Sequence, residues 1–145
     1  MDKKRFFNLG WGWIALTMAL ALHVTDEALT NFLSVYNPTV LAIRQRVSFL
    51  PLPTFTFRVW LSGLVLAIIL LLALSPFAFR GARWIMFAAY AFGFLMIVNG
   101  LQHIAGSVYM GRWMPGIYSS PLLLVCSIYL LLSARYRKRV RDGRV

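Results

Sequence analysis

Four apolar stretches, each of a length to cross a bilayer, leave this chain few folds to choose from. They run from about Leu9 to Leu33, from Phe57 to Leu74, from Trp84 to about Val108, and from Ile117 to Leu132. A helix rises about 1.5 Å per residue and a hydrocarbon core is about 30 Å thick. The first and third stretches therefore cross with residues to spare, and the second and fourth barely reach. Inside lipid a span must satisfy its own backbone groups, so each is expected to be a helix. Composition agrees: 60% of the 145 residues are hydrophobic, 13% are charged, and the mean hydropathy is +0.71. An ordinary soluble domain carries about 25% charged residues, and a water-soluble fold of this length could not hide so much apolar surface. The expected fold is an all-α, four-helix transmembrane bundle over residues 1–134, with the lipid bilayer as partner and a basic tail over 135–145.

The formal net charge of +11 invites a nucleic-acid reading, but the placement of the charges argues against it. The basic residues lie between the apolar runs and in the last eleven positions, not on one folded face, so no nucleic acid is expected. The tail from Arg135 to Arg141 should instead attract anionic lipid headgroups, at about 1 kcal/mol per basic residue. With four spans, the N-terminus, the second loop and the tail share a side. That side holds Lys3, Lys4, Arg5, Arg80, Arg83 and six tail residues, eleven in all, against Arg44, Arg46, Arg58 and Arg112 on the other. The bias predicts a multi-pass protein of the cell inner membrane with both termini cytoplasmic. Lys3-Lys4-Arg5, then Trp11 to Leu22 with Ala19-Leu20-Ala21, resembles a signal peptide. The apolar run continues through Ala28, Leu29, Phe32 and Leu33, so it reads as an uncleaved first span.

The first outer loop, about Ser34 to Thr56, has the pattern of a short interfacial helix. Asn37-Pro38 suits a helix start, Val40, Ile43, Val47 and Leu50 fall at helical spacing, and Pro51 and Pro53 stop it. An irregular apolar loop is the alternative. In the third span Ala89, Gly93 and Gly100 suit close helix packing. The single cysteine, Cys126, allows no intramolecular disulfide and reads as a small hydrophobe.

Chemistry concentrates in one constellation. Of the four acidic residues, Asp2 and Asp142 lie at the ends, while Asp26 and Glu27 lie in the first span; both histidines, His23 and His103, also lie in apolar spans. Ionisable groups in hydrocarbon are costly and normally mark function. His23, Asp26 and Glu27 stand at i, i+3 and i+4, on one helix face. Asn99 and His103 stand at i and i+4 on the third span. Counting from Arg5, His23 lies about 27 Å along its helix and Glu27 about 33 Å. From Arg83, Asn99 lies about 24 Å along and His103 about 30 Å. Both sets reach the same level near the outer boundary, and one site fits.

His23-Val24-Thr25-Asp26-Glu27 resembles the signature of the HXXEE proteins, small bacterial membrane proteins named for that motif. The family also carries an Asn-x-x-x-His, matched by Asn99 to His103, and a later Pro-Gly, matched by Pro115-Gly116. This chain departs from the pattern at Asp26, where the family has Glu, which keeps a carboxylate and shortens it by one methylene. The resemblance implies a fold and a site, not an activity.

Three readings of the cluster compete. In the first, His23, Glu27 and His103 are ligands of a divalent metal, zinc or iron, with Asp26 or Asn99 beside them; imidazole plus carboxylate with an open position suits catalytic zinc or ferrous iron. In the second, Asp26 and Glu27 work with the histidines as metal-free acid–base groups on a lipophilic small molecule. In the third, Asp26 or Glu27 pairs with Arg58 or Arg112, and the cluster only stabilises the bundle or binds a ligand or proton, as in an accessory subunit. The expected function is a metal-dependent or acid–base enzyme on a lipophilic substrate, with a non-enzymatic membrane protein as the alternative. Ser62, Ser107, Ser119 and Ser120 lack a nucleophile-elbow setting, and there is no glycine-rich phosphate loop.

Overall fold

Helix limits in this protein follow from residues that start or stop a helix by their own chemistry. The computed structural model describes residues 7–47 and 49–144. Among them the fold is all-α, with no strand and five helices: α1 (Leu9–Leu29), α2 (Leu33–Arg46), α3 (Phe57–Arg80), α4 (Arg83–Met110) and α5 (Ser120–Arg141). Lys3, Lys4 and Arg5, on which part of the charge bias rests, lie outside the described residues.

Asn8 opens α1 by accepting hydrogen bonds from the Gly10 and Trp11 amides. The helix ends at Leu29, four residues short of the expected Leu33. Asn31 adopts the left-handed conformation (φ 58°), and the Phe32 amide turns back to donate to the Glu27 carbonyl at 2.9 Å. That is a Schellman stop, with asparagine in the place glycine often takes. The helix expected in the first loop is present, but it begins at Leu33 and not at Asn37, takes Pro38 into its interior and ends at Arg46, before Val47, Leu50 and the prolines expected to stop it. Asn37 is occupied elsewhere: its amide nitrogen donates to the Phe55 carbonyl (2.9 Å) and its oxygen accepts from the Phe55 amide (3.1 Å). It clamps the returning chain against α2 instead of capping a helix.

Helix α3 runs past the expected Leu74 to Gly81, which closes it at φ 68°. Within it Pro76 has no N–H, which strands the carbonyl of Leu72. Ser75 repairs the gap by donating its hydroxyl to that carbonyl at 2.7 Å. One residue earlier, the Leu71 carbonyl accepts the indole N–H of buried Trp13 at 2.7 Å, tying α1 to α3. Helix α5 starts later than Ile117, after the left-handed Gly116 (φ 84°), and continues unbroken through the basic segment to Arg141.

Helix α1 packs along α3 on one side and α5 on the other, and α5 carries α4. The pairs are antiparallel: Gly10 faces Phe79, Gly12 faces Leu130 and Ser133, Gly93 faces Leu131, and Gly100 faces Leu124. The core along these seams holds Trp13, Leu16, Leu20, Ile85, Ala89, Leu123 and Leu130. The expected close packing is thus met against α5 by Gly93 and Gly100, and Ala89 is buried in the core.

By length and composition α3 and α4 are the two described helices able to cross a membrane. Helix α1 has His23, Asp26 and Glu27 in its last two turns, and α5 becomes basic from Arg135, so both are less apolar than their cores suggest. The outer surface is apolar where the inside is partly polar. Val65, Leu66, Ile69 and Leu70 of α3 and Phe87, Phe94 and Val98 of α4 are exposed, while Thr17, His23, His103, Ser120 and Ser127 are fully buried.

Candidate metal centre

The end of the bundle opposite the basic segment gathers the last turns of α1 and α4 and the loop that leads into α5. His23 and Glu27 stand one turn apart on α1, and His103 faces them from α4. All three are buried, with 0%, 5% and 1% of their surface exposed. Glu27 Oε1 lies 3.1 Å from His103 Nε2 and 3.6 Å from His23 Nε2. The two imidazoles meet edge to face, with centroids 4.8 Å apart.

Asp26 does not join this trio. Its Oδ2 accepts two hydrogen bonds from Ser119, one from the backbone amide (2.9 Å) and one from the hydroxyl (2.7 Å). A carboxylate at the start of α5 also meets the positive end of that helix. Ser119 Oγ lies 2.8 Å from His23 Nδ1. Two acceptors lie within reach of the Ser119 hydroxyl, Asp26 Oδ2 at 2.7 Å and the Gly116 carbonyl at 3.2 Å; with its proton on the nearer carboxylate, the oxygen is left to accept from His23 Nδ1–H. A neutral His23 then carries its bare lone pair on Nε2, the atom that faces Glu27. This is how a metal-binding histidine is usually prepared, with its other nitrogen donating to a partner that fixes the tautomer.

Asn99 is half-buried, and its side-chain oxygen accepts from Gln102 of its own helix at 2.8 Å. Among the described residues no arginine comes within ion-pair range of Asp26 or Glu27, and Arg58 and Arg112 are exposed.

Behind the imidazoles sits Gly116. A Cβ there would stand 2.9 Å from His103 Cε1 and 3.0 Å from His23 Cε1, and the residue's φ of 84° disfavours any side chain. Above, Phe32 lies 5.7 Å from the His103 ring and 5.9 Å from Trp60. Ser107 holds the loop in place, donating to the His103 carbonyl and accepting from the Met114 amide. Sequence reasoning missed Ser119, whose partners are more than ninety residues away in the chain. Its signal was Ser119-Ser120-Pro121, a helix start whose free amide suits a carboxylate.

The donor set fits a cation. His23 Nε2 and His103 Nε2 are buried without a hydrogen-bond partner, the 3.1 Å approach to Glu27 lacking the needed alignment; His103 Nδ1 is unpartnered too, and a cation on Nε2 would leave it so. Buried polar atoms are rarely left so. Ligand atoms about 2.0–2.2 Å from a tetrahedral ion stand roughly 3.3–3.6 Å apart; the His23 distance to Glu27, 3.6 Å, lies at the top of that range and the His103 distance, 3.1 Å, just below it. The three donors all lie within 4.8 Å of one another.

Fold and site together define an all-helical protein with a buried His/Glu/His cluster at one end of its bundle. Residues 13–130 match the model of a family described as protein of unknown function with HXXEE motif, and the chain belongs to that family. No curated protein and no solved structure matches the chain.

Proposed function

We propose that this is a four-span membrane protein with both ends cytoplasmic, and that it holds a catalytic divalent metal, zinc or iron, near its outer face. On this reading it is a metal-dependent enzyme acting on a lipophilic molecule. Exposed apolar side chains along α3 and α4 support lipid as the surrounding solvent. Helices α1 and α5 complete the set of spans, their polar residues facing inward or lying at the ends, and α2 lies along the interface. The described basic residues also segregate: Arg80, Arg83 and the tail lie at one end, and Arg44, Arg46, Arg58 and Arg112 at the other.

The observation that carries the metal reading is the preparation of His23. With the Ser119 proton on Asp26, a neutral His23 would present a bare Nε2 lone pair 3.6 Å from the Glu27 carboxylate, an arrangement of two acceptors that a cation between them would resolve. Two histidines and one glutamate leave coordination positions for water or substrate, as catalytic sites require. The ion would polarise a bound oxygen or activate water, and the chain's own residues would hold it and exclude bulk water.

Elemental analysis of the detergent-purified protein tests this. The expected result is about one zinc or iron per chain, lost in Glu27→Gln and His103→Ala without loss of the folded state. A second reading is favoured by the 3.1 Å Glu27–His103 distance, which also suits an ion pair with protonated His103. It predicts no metal in any preparation and a Glu27→Gln bundle that melts lower, by less than a stranded guanidinium would cost, because an imidazole can give up its charge.

A further inference from the structure

A cleft among the described residues borders the cluster on the His103 side. It opens between α2 and α4, encloses about 390 Å³, and has His103 in its wall. Phe32, Val35, Met110 and Met114 supply apolar surface, and the two methionines make it adaptable. No lysine, arginine, aspartate or glutamate lines it, so a charged headgroup would be desolvated there without a partner.

The polar groups of the wall narrow the choice further. Tyr36 donates its hydroxyl to the Pro53 carbonyl, Thr39 donates to the Val35 carbonyl, and Gln102 has one amide N–H engaged with Asn99. The first two donors are spent inside the protein, but Gln102 keeps one N–H and the Tyr109 hydroxyl has no partner among the described residues, so the wall offers both lone pairs and protons, which suits a ligand group able to donate and to accept. The volume is near the low end of small-molecule sites, about 300–1,000 Å³, which suits one chain or ring system and not a diacyl lipid.

We propose that this cleft binds a neutral lipophilic alcohol, with the hydroxyl end toward His103 and the hydrocarbon along α2 and α4. The direction of the hydroxyl rests on the metal reading given above; occupancy of the cleft does not.

A long-chain alcohol bearing a mid-chain diazirine, irradiated with the full-length protein in detergent, tests the assignment. Label should fall on peptides of α2 and α4 that line the cleft, and unlabelled alcohol should compete while the matching fatty acid and phosphatidylglycerol do not. Thr39→Trp and, independently, Met110→Trp should each cut labelling about tenfold, equivalent to about 1.4 kcal/mol, with metal per chain unchanged. His103→Ala should lose metal yet still label in the cleft. Labelling without metal in any preparation would defeat the metal reading alone. Label spread over the exposed faces, indifference to both tryptophan variants, or equal competition by the acid or the phospholipid would overturn the alcohol site, whatever the metal content.

Discussion

Ser119 owns one hydroxyl proton, and its destination decides what His23 can do. While Asp26 takes it, His23 must donate from Nδ1 and keep Nε2 free. Ser119→Ala removes the link without touching a proposed ligand. The expected result is a metal affinity weakened about 10–100-fold, the range found for partners that orient a ligand. Competition with a chelator of known affinity reads this directly, and the melting temperature should move little, since one hydrogen bond contributes about 0.5–1.5 kcal/mol. An unchanged affinity would mean that the tautomer of His23 is set by something else. The replacement of the family's glutamate by Asp26 has a matching geometry, because the shorter side chain meets Ser119 and stops short of the trio.

Among the elements, the α4–α5 seam shows what glycine contributes where no turn is involved. A Cβ on Gly93 would lie 2.8 Å from the Leu131 side chain and 3.5 Å from the Ser127 carbonyl, so the backbones approach closely there. Gly63 on α3 has nothing within 4 Å. Gly93→Leu should therefore destabilise the protein by about 1–3 kcal/mol through overpacking, while Gly63→Leu should cost nothing, as thermal unfolding in detergent will register. Much of this was legible in the sequence. Apolar length located the helices, and i,i+4 spacing put His23 and Glu27 on one face. Spacing along a helix is blind to partners from distant parts of the chain. Asn37 looked like a cap because Phe55, its actual partner, is invisible in local pattern. Asn99 shares a one-turn spacing with His103, yet its amide oxygen is taken by Gln102. Helix α1 ends early because Asn31 turns left-handed, a choice that composition does not announce.

At the scale of the whole molecule, the two ends differ in charge. One carries Arg80, Arg83 and the six basic residues from Arg135 to Arg144, and Arg137 is held there by a hydrogen bond to the Arg80 carbonyl (3.0 Å). If lipid surrounds the middle, that end belongs in the cytoplasm. Reporter fusions at either terminus should be active only when they function inside the cell, and a C-terminal fusion active outside would reverse the orientation. The loop carrying Gly116 and Ser119 has a consequence for the order in which the protein becomes competent. A ribosome delivers His23 and Glu27 first, His103 about eighty residues later, and the serine and glycine that set and back the imidazoles only after that. Until α5 packs and seats this loop, Ser119 is not in place to hold His23 and neither ring has Gly116 behind it. On the metal reading the site is therefore completed late: a cation would find its donors fixed and backed only after this loop has docked.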